Sequence, residues 1–255
     1  MKIERILVSQ PQGVEAKKYY DTIAEKHGVT IDFKQFIHIE SLTPKEFRAQ
    51  KISIFPDHTS VIFTSRHSID HFFNLCKEMR VNVPATTKFF CLTEEMSLYI
   101  QNHIQYRKRR NFFATDGKFE SLLPQLQRHS KEVYFVPRSS VHTDDIARQL
   151  TAAGLRFDEA VMYRTVSTLF EEGDIDNYDM MVFFSPAGIK SLLENKPGFE
   201  QGEMIIGAFG KQAAQAVAEQ GLRLDLEAPN PAATSMPAAL DKFLTDNKTK
   251  SRSKK

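Results

Sequence analysis

The sequence predicts an α/β fold built on parallel sheets. Short runs of β-branched and aromatic residues alternate with segments of helical spacing along the whole chain, and this alternation is typical of parallel strands joined by crossover helices. The 255 residues exceed one domain of about 100–200 residues, so we expect two domains. At 41% hydrophobic residues, each domain can bury a core of its own.

Start and stop signals place the individual elements. Gly28 is the expected C′ residue of the first helix, and Thr43-Pro44-Lys45-Glu46 has capping-box spacing with proline at the first helical position. The expected strands cover residues 5–9, 31–37, 60–63, 88–92, 111–115, 132–136, 157–169, 179–184, 204–209 and 222–226. The expected helices cover residues 14–27, 93–103, 118–128, 143–153, 186–193, 211–220 and 235–245, with two more beginning at Thr43 and after Ser65.

One junction occurs twice in the chain. Residues 61–73, "VIFTSRHSIDHFF", and residues 181–193, "MVFFSPAGIKSLL", each run from an apolar strand through a serine into helical spacing. Ligands of open parallel sheets bind at the carboxyl ends of the strands, where helix N-termini favour anions. Ser65 and Ser185 are therefore candidates for an anion-binding loop, and the alternative is that each serine only caps its helix.

Composition excludes several classes of protein. The formal net charge is only +2, and the run Arg107-Lys108-Arg109-Arg110 lacks interleaved aromatic residues, so we interpret it as a solvated turn and expect no nucleic-acid partner. The N-terminus lacks the continuous apolar core of a signal peptide, and no segment predicts membrane insertion. We expect a cytoplasmic protein whose two cysteines, Cys76 and Cys91, are reduced.

Motifs for metals and nucleotides are also missing from the sequence. His67 and His71 have i,i+4 spacing but lack the glutamate of H-E-x-x-H and a clear third ligand, so we interpret them as helix-surface residues. No P-loop, dinucleotide-binding or nucleophile-elbow motif is present.

Several ordered motifs resemble the uroporphyrinogen-III synthase family. They are "VIFTS", "FVPRSS", "LTAAGLRFDEAVMYRT", "FFSPAGIKSLL", "IIGAFGKQAAQAVAEQGL" and "APNPAATSMPAAL". Each motif is of low specificity alone, but they follow the family's order from about residue 3 to residue 245.

The resemblance implies two flavodoxin-like α/β domains with parallel sheets, joined by a two-stranded β linker. Residues 1–37 with 168–247 would form domain 1, residues 38–167 domain 2, and residues 248–255 a disordered basic tail. Residues 36–39 and 163–168 would form the linker. The serine loops of the two domains would then face each other across a cleft.

The resemblance also implies a reaction. The family cyclises hydroxymethylbilane, a linear tetrapyrrole with eight carboxylates, to uroporphyrinogen III with inversion of ring D and loss of water, without a cofactor or metal. Tyr163 matches the family tyrosine that helps the hydroxyl to leave, although it could equally be a packing residue. We expect a monomer.

The expected substrate-binding residues lie in strand-to-helix turns, where backbone amides and basic side chains suit carboxylates. They are Thr64, Ser65, Arg66, Arg138, Ser139, Ser185, Pro186, Ala187, Gly210, Lys211 and Gln212. Arg164 is a further basic candidate. Solvated surface charge and helix capping are the alternatives for these side chains.

Departures from the family pattern leave a second function open. Leu92, Glu95, Thr143 and Gln212 stand where the family commonly has other residues, and an acid at position 95 would repel a polyanion. The alternative to the synthase is a non-catalytic two-domain protein that binds an anionic ligand, since a fold does not by itself imply a function.

Overall fold

The computed structural model describes residues 2–252. Its strands are β1 (Arg5–Val8), β2 (Thr30–Phe33), β3 (Ile37–Ser41), β4 (Ser60–Phe63), β5 (Lys88–Cys91), β6 (Asn111–Phe113), β7 (Val133–Ser139), β8 (Arg156–Ser167), β9 (Met180–Phe183), β10 (Ile205–Phe209) and β11 (Leu226–Ala228). Its α-helices are α1 (Val14–His27), α2 (Pro44–Ala49), α3 (Arg66–Glu78), α4 (Glu94–Tyr99), α5 (Phe119–Arg128), α6 (Asp145–Ala152), α7 (Pro186–Asn195), α8 (Lys211–Glu219) and α9 (Met236–Arg252). None of the helices in residues 2–252 has the length and apolar character needed to cross a membrane.

The chain divides into two compact units. The first consists of the described residues up to His38 and from Val166 onward, and the second is Ile39–Thr165. The division falls inside β3 and inside β8.

A parallel sheet forms the centre of the first unit. Its strands lie in the order β2-β1-β9-β10-β11, and the described pairs are all parallel. Numbered along the chain within this unit, the order is 2-1-3-4-5. Both faces are covered, since Ile6 and Val8 pack in one apolar cluster and Leu7 in another. Burial on both faces explains the continuous apolar runs of these strands.

The sheet of the second unit has a different strand order. Its strands lie in the order β3-β8-β7-β4-β5-β6, and β4, β5, β6, β7 and β8 pair in parallel. Numbered along the chain from β4, the five parallel strands have the order 3-2-1-4-5 when the sheet is read from the β6 side, and β3 is added at the edge beside β8. Flavodoxin has the order 2-1-3-4-5, so the expectation of a flavodoxin-like order in this unit is wrong. Alternating strands and helices do not encode the side of β4 on which each later strand pairs.

Two of the expected strands differ from those in the structure. The expected strand over residues 31–37 is two strands, β2 and β3, because the chain leaves the first sheet at Phe36, whose carbonyl accepts hydrogen bonds from Ser191 Oγ (2.6 Å) and the Thr168 amide (2.8 Å). The strand expected over residues 222–226 begins only at Leu226. Asp225 precedes it, and its carboxylate accepts the Ile206 amide at 2.9 Å.

The last helix is longer than the sequence predicts. α9 continues to Arg252 rather than ending near Thr245. Residues 248–252 of the expected disordered tail therefore have helical backbone, and residues 253–255 lie outside the described part of the chain.

Phe72 lies at the centre of the aromatic core of the second unit. It is fully buried, with its ring centroid 5.4 Å from that of Phe63, 5.1 Å from that of Phe73 and 6.0 Å from that of Phe135. We expect Phe72→Ala to lower the free energy of unfolding by about 3–5 kcal/mol, because a cavity replaces the ring. Urea unfolding followed by circular dichroism measures this change.

Leu98→Ala is the matched control, since Leu98 is 43% exposed on α4. We expect it to change the free energy of unfolding by no more than about 0.5 kcal/mol. A loss for Phe72→Ala no larger than that of the control would contradict the assignment of Phe72 to the core.

Candidate functional site

The strand order of each sheet creates, in each unit, one pair of neighbouring loops that are candidates for ligand binding. In the second unit, the connection after β4 leads towards β5, and the connection after β7 leads to β8 on the other side. In the first unit, the connections after β1 and β9 likewise diverge. Loops at such switch points line a crevice outside the carboxyl ends of the strands, which is where open α/β sheets bind ligands.

Ser65 caps the helix that follows β4. Its Oγ accepts the Ser68 amide at 3.0 Å, while Ser68 Oγ accepts the amides of Thr64 (3.3 Å) and Ser65 (3.2 Å). Within residues 2–252, the amides of Arg66 and His67 at the start of α3 have no such partner, as expected for the first turn of a helix. The capping interpretation of Ser65 is thus confirmed, and two amides remain available to an anion.

Tyr163 lies beside this capped helix start. Its hydroxyl is 3.3 Å from Ser65 Oγ, and the side chain is 7% exposed. The Tyr163 ring stacks on the His71 imidazole, with centroids 5.0 Å apart and planes 19° apart. His71 Nδ1 is in turn 2.6 Å from Ser41 Oγ. The ring of Tyr163 is therefore held on one face while its hydroxyl reaches Ser65.

The sequence predicts that His67 and His71 are helix-surface residues, but His71 is half-buried against Tyr163. Burial lowers the pKa of His71, and the neighbouring His67 lowers it further, while Asp70 opposes the shift. Both effects favour the neutral form of the imidazole against Tyr163. His67 is exposed, with its ring centroid 6.5 Å from that of Tyr163.

Arg138 and Ser139 line a cavity next to Tyr163. The cavity has a volume of about 170 Å³, and Thr64 and Glu159 also line it. Arg138 Nη1 donates to Glu159 Oε2 at 2.8 Å, while its Nε is buried without a partner in the described part of the chain. The hydrogen-bonding capacity of that Nε is therefore left unsatisfied among the described residues.

A β-bulge brings Ser139 level with Tyr163. β7 and β8 pair regularly up to Arg138, and a register shift between Arg138 and Ser139 then places Ser139 opposite Tyr163. Ser139 Oγ accepts the Val141 amide at 3.3 Å, so this serine orders its own turn. Bulges of this kind redirect side chains at the ends of strands.

Arg66 and Arg164 are both paired with acids of the same unit. Arg66 forms an ion pair with Glu95, and its guanidinium carbon lies 5.2 Å from the centroid of the Tyr99 ring. Glu95, which was expected to repel a polyanion, therefore neutralises a candidate binding residue. Arg164 pairs with Glu40 and Glu46 instead.

In the first unit, Ser185 caps α7 as the sequence predicts. Its Oγ accepts the Gly188 amide at 3.3 Å, and Pro186 occupies the first helical position, where it has no amide proton to leave unsatisfied. The Ala187 amide has no partner within residues 2–252. A Cβ on Gly188 would lie 3.5 Å from Ser9 Oγ, so the loop after β1 closely approaches the start of α7.

Gly210, Lys211 and Gln212 form a second helix start in this unit. Gly210 has φ +87°, a conformation that favours glycine, and it precedes α8 without a side-chain cap. Lys211 and Gln212 are exposed on the first turn, and in the described part of the chain neither side chain has a partner. This lysine is therefore a free cation at an uncapped helix start.

The structure groups the predicted residues by unit. The second unit brings together Thr64, Ser65, Arg138, Ser139 and Tyr163. Arg66 directly follows Ser65 in the same unit. The first unit contains the rest, namely Ser185, Pro186, Ala187, Gly210, Lys211 and Gln212. Sequence reasoning missed Ser41, His71, Glu159 and Ser9, since no motif marks them.

Two further observations concern ligands. Among residues 2–252, no three His, Cys, Asp or Glu side chains lie close enough together to hold a metal ion. Thr143, where the family often has arginine, lines the cavity beside Arg138, and its hydroxyl donates to Asp145 at 2.9 Å. That position therefore adds no positive charge to the site.

Comparison with known proteins identifies the family. The family model described as uroporphyrinogen-III synthase HemD matches residues 18–238. The chain belongs to the uroporphyrinogen-III synthase family. This confirms the resemblance found in the sequence, and with it the assignment as a cyclising lyase of tetrapyrrole biosynthesis. No curated protein matches the sequence.

Solved structures of this family are similar to the chain. A uroporphyrinogen-III synthetase from Helicobacter pylori is 16% identical with a TM-score of 0.57, and the match covers 95% of this chain and 99% of that one. A mutant uroporphyrinogen III synthase from the extremely thermophilic bacterium Thermus thermophilus is 17% identical with a TM-score of 0.48, covering 97% and 99%. The first of these supports the α/β fold with parallel sheets.

The hydrogen bonds that Glu46 accepts from Thr43 and Arg164 predict that the stability of the protein depends on pH. Glu46 accepts hydrogen bonds from the Thr43 hydroxyl (2.7 Å), the Thr43 amide (2.8 Å) and Arg164 (2.7 Å), and these lower its pKa to about 2. In the unfolded chain its pKa is about 4.3. The stabilisation is therefore present above about pH 4.3 and is lost as the pH falls towards 2.

We expect Glu46→Gln to lower the melting temperature at neutral pH. We also expect the melting temperature of this variant to fall less between about pH 5 and pH 2, because the titrating carboxylate is gone. Circular dichroism at constant ionic strength measures both effects. Glu200→Gln is the control, since Glu200 is exposed and makes no hydrogen bond in the described part of the chain. Equal pH profiles for the two variants would contradict the role of Glu46.

Proposed function

We propose that the chain cyclises hydroxymethylbilane to uroporphyrinogen III, with inversion of ring D and loss of water. Family membership supports this reaction. The observation that carries the proposal within the structure is the Tyr163 hydroxyl, which lies 3.3 Å from Ser65 Oγ at the start of a capped helix. A phenol there can donate a proton to the leaving hydroxyl while nearby amides bind a carboxylate of the substrate.

Tyr163 would act as the proton donor. The bond between the hydroxymethyl carbon and its oxygen breaks, the oxygen takes the phenolic proton, and water leaves. A positioned phenol hydroxyl is one of the groups that serve as general acids and donate a proton to a leaving oxygen. Because burial favours the neutral form of His71, this residue does not compete with Tyr163 as a charged proton donor. Its ring also fixes the plane of the Tyr163 phenol, and so the direction of the hydroxyl.

Binding would rely on exchange of ion pairs. Arg66 and Arg138 already pair with Glu95 and Glu159, and the Arg66 pair is exposed. Exposed ion pairs contribute at most about 1 kcal/mol, so a substrate carboxylate can replace Glu95 at little cost. Lys211, which has no acid partner among the described residues, can bind a substrate carboxylate without breaking an ion pair. Holding one folded conformer of a flexible substrate can lower the barrier by about 7–11 kcal/mol in favourable cases.

The domain arrangement is part of the same proposal. We infer a flavodoxin-like domain from residues 1–37 with 168–247, and a second α/β domain from residues 38–167. The strand order 2-1-3-4-5 of the first sheet supports the first assignment. Residues 36–39 and 163–168 would link the domains as a two-stranded ladder. The monomeric state and the cytoplasmic location stay predictions.

Tyr163→Phe tests the proton donor. We expect kcat to fall by roughly 10²–10⁴-fold, the usual contribution of a positioned acid, with little change in the melting temperature because the ring still stacks on His71. The assay supplies hydroxymethylbilane and separates the type III product from the type I isomer that forms without an enzyme. Tyr19→Phe is the control, since Tyr19 is 67% exposed on α1. Unchanged turnover would remove Tyr163 from the mechanism.

Paired substitutions of the two serines separate capping from ligand binding. Asp and Asn both cap helices about as well as Ser, but only Asp adds a negative charge beside the amides. We therefore expect Ser65→Asp and Ser185→Asp to raise KM for hydroxymethylbilane by tenfold or more, roughly one charge-assisted hydrogen bond. Ser65→Asn and Ser185→Asn should keep KM within about threefold. Equal KM values for Asp and Asn at either position would limit that serine to capping.

The same assay distinguishes the synthase from the non-catalytic alternative. The pairing of Arg66 with Glu95 favours that alternative, because it removes one free cation from the loop. We expect type III product to accumulate in proportion to enzyme concentration. Type I product alone, at high enzyme concentration, would leave a protein that binds an anionic ligand without catalysis.

A further inference from the structure

Another cavity lies at the amino ends of the strands of the second sheet, whereas Ser65 lies at the carboxyl end of β4. Its volume is about 160 Å³, and Thr87 and Asn111 are among its lining residues. Thr87 directly precedes β5, and Asn111 is the first residue of β6. Because these strands run parallel to β4, Thr87 and Asn111 lie at the amino ends of the strands, away from the loop that follows β4.

Three buried polar atoms around this cavity lack hydrogen-bond partners within residues 2–252. They are Thr87 Oγ1, Arg110 Nη1 and Asn111 Oδ1, and all three residues line the cavity. Thr87 is 2% exposed and Asn111 is 8% exposed. Buried polar groups in folded proteins are nearly always paired, and each unpaired one costs about 1–3 kcal/mol. Three unpaired atoms at one cavity point to a polar occupant.

The charge of the cavity favours an anion over water alone. Arg107 and Arg110 both line it, and no carboxylate in the described part of the chain pairs with either. Glu132 lies at a neighbouring cavity that shares Thr87, but it is paired with Lys88. A buried guanidinium nitrogen without a counter-charge is unfavourable. The basic run that the sequence indicated to be a solvated turn thus has one arginine that reaches inward.

The three atoms also restrict the chemistry of the occupant. Arg110 Nη1 only donates, the Thr87 hydroxyl donates or accepts, and Asn111 Oδ1 only accepts. The Asn111 amide nitrogen already donates to the Arg107 carbonyl at 2.8 Å, which fixes the orientation of the side chain. The occupant must therefore offer an acceptor to Arg110 and a hydrogen-bond donor to Asn111. A water needs only roughly 10–15 Å³, so the cavity has room for a polyatomic ion.

We propose that this cavity is a binding site for a small protonated oxyanion of the hydrogenphosphate type. Arg110 donates to its charged oxygens, Thr87 supports the same oxygens, and the P–OH group donates to Asn111 Oδ1. Sulfate carries no proton at neutral pH and leaves Asn111 unpaired. Binding stabilises the folded protein by mass action.

The test measures binding of inorganic phosphate to the full chain by isothermal titration calorimetry, at constant ionic strength because screening alters surface charges. We expect saturable binding of phosphate and weaker binding of sulfate. Arg110→Gln and Thr87→Val should each weaken phosphate binding, the first by roughly tenfold or more, since it removes a charge-assisted hydrogen bond. Arg109→Gln is the matched control, because Arg109 is in the same run but does not line the cavity.

Phosphate could also bind at the candidate catalytic loops, and Arg138→Gln separates the two sites. We expect this variant to keep its phosphate affinity. The proposal would be overturned if Arg138→Gln lost its affinity for phosphate while Arg110→Gln and Thr87→Val retained theirs. The absence of saturable phosphate binding would also overturn it. Equal affinity for phosphate and sulfate would overturn the assignment of a protonated oxyanion. Circular dichroism checks that each variant is folded, and Asn111→Asp, which adds a negative charge, replaces Arg110→Gln if that variant is not.

Discussion

The first-turn amides of helices that follow parallel strands are the constraint on which the candidate site depends. These amides have no carbonyl partner within their own helix, so a side-chain cap or a ligand must satisfy them. Ser65 and Ser185 each satisfy one amide, and the neighbouring amides remain available. The strands that precede these two helices, β4 and β9, are buried along their whole length. These strands position the anion-receptive amides, which suits the proposed reaction, whose product depends on the conformer that is held.

Charge balance distinguishes the cavity beside Tyr163 from the cavity beside Thr87. Beside Tyr163, Arg138 has an internal acid, Glu159, so a ligand there has to displace or share an existing pair. At the amino ends of β5 and β6, Arg110 has no acid partner in the described part of the chain, and a ligand there completes a missing pair. The first arrangement is suited to a substrate that binds and leaves, and the second to an ion that stays and stabilises the fold.

Much of the candidate site could be predicted from local sequence. The caps at Thr43, Ser65 and Ser185 are determined by residues within one helical turn, so short motifs reveal them. The stacking of His71 on Tyr163 is different, since it joins a helix and a strand far apart in the chain. His71 has the same spacing from His67 as any surface pair of a helix. Only the packing of α3 against β8 turns it inward, and no local pattern records that packing.

The sequence by itself determined the α/β class, most helix starts and the family, because alternation, capping and ordered motifs are properties of neighbouring residues. The tertiary structure decided the strand order of the second sheet, the split of the expected strand at Phe36 and the partners of the arginines. Strand order depends on the side on which each crossover returns, and the ion pair of Arg66 with Glu95 depends on the starts of two different helices, α3 and α4. Both are contacts between segments that the chain separates, so they exist only once the sheet has formed.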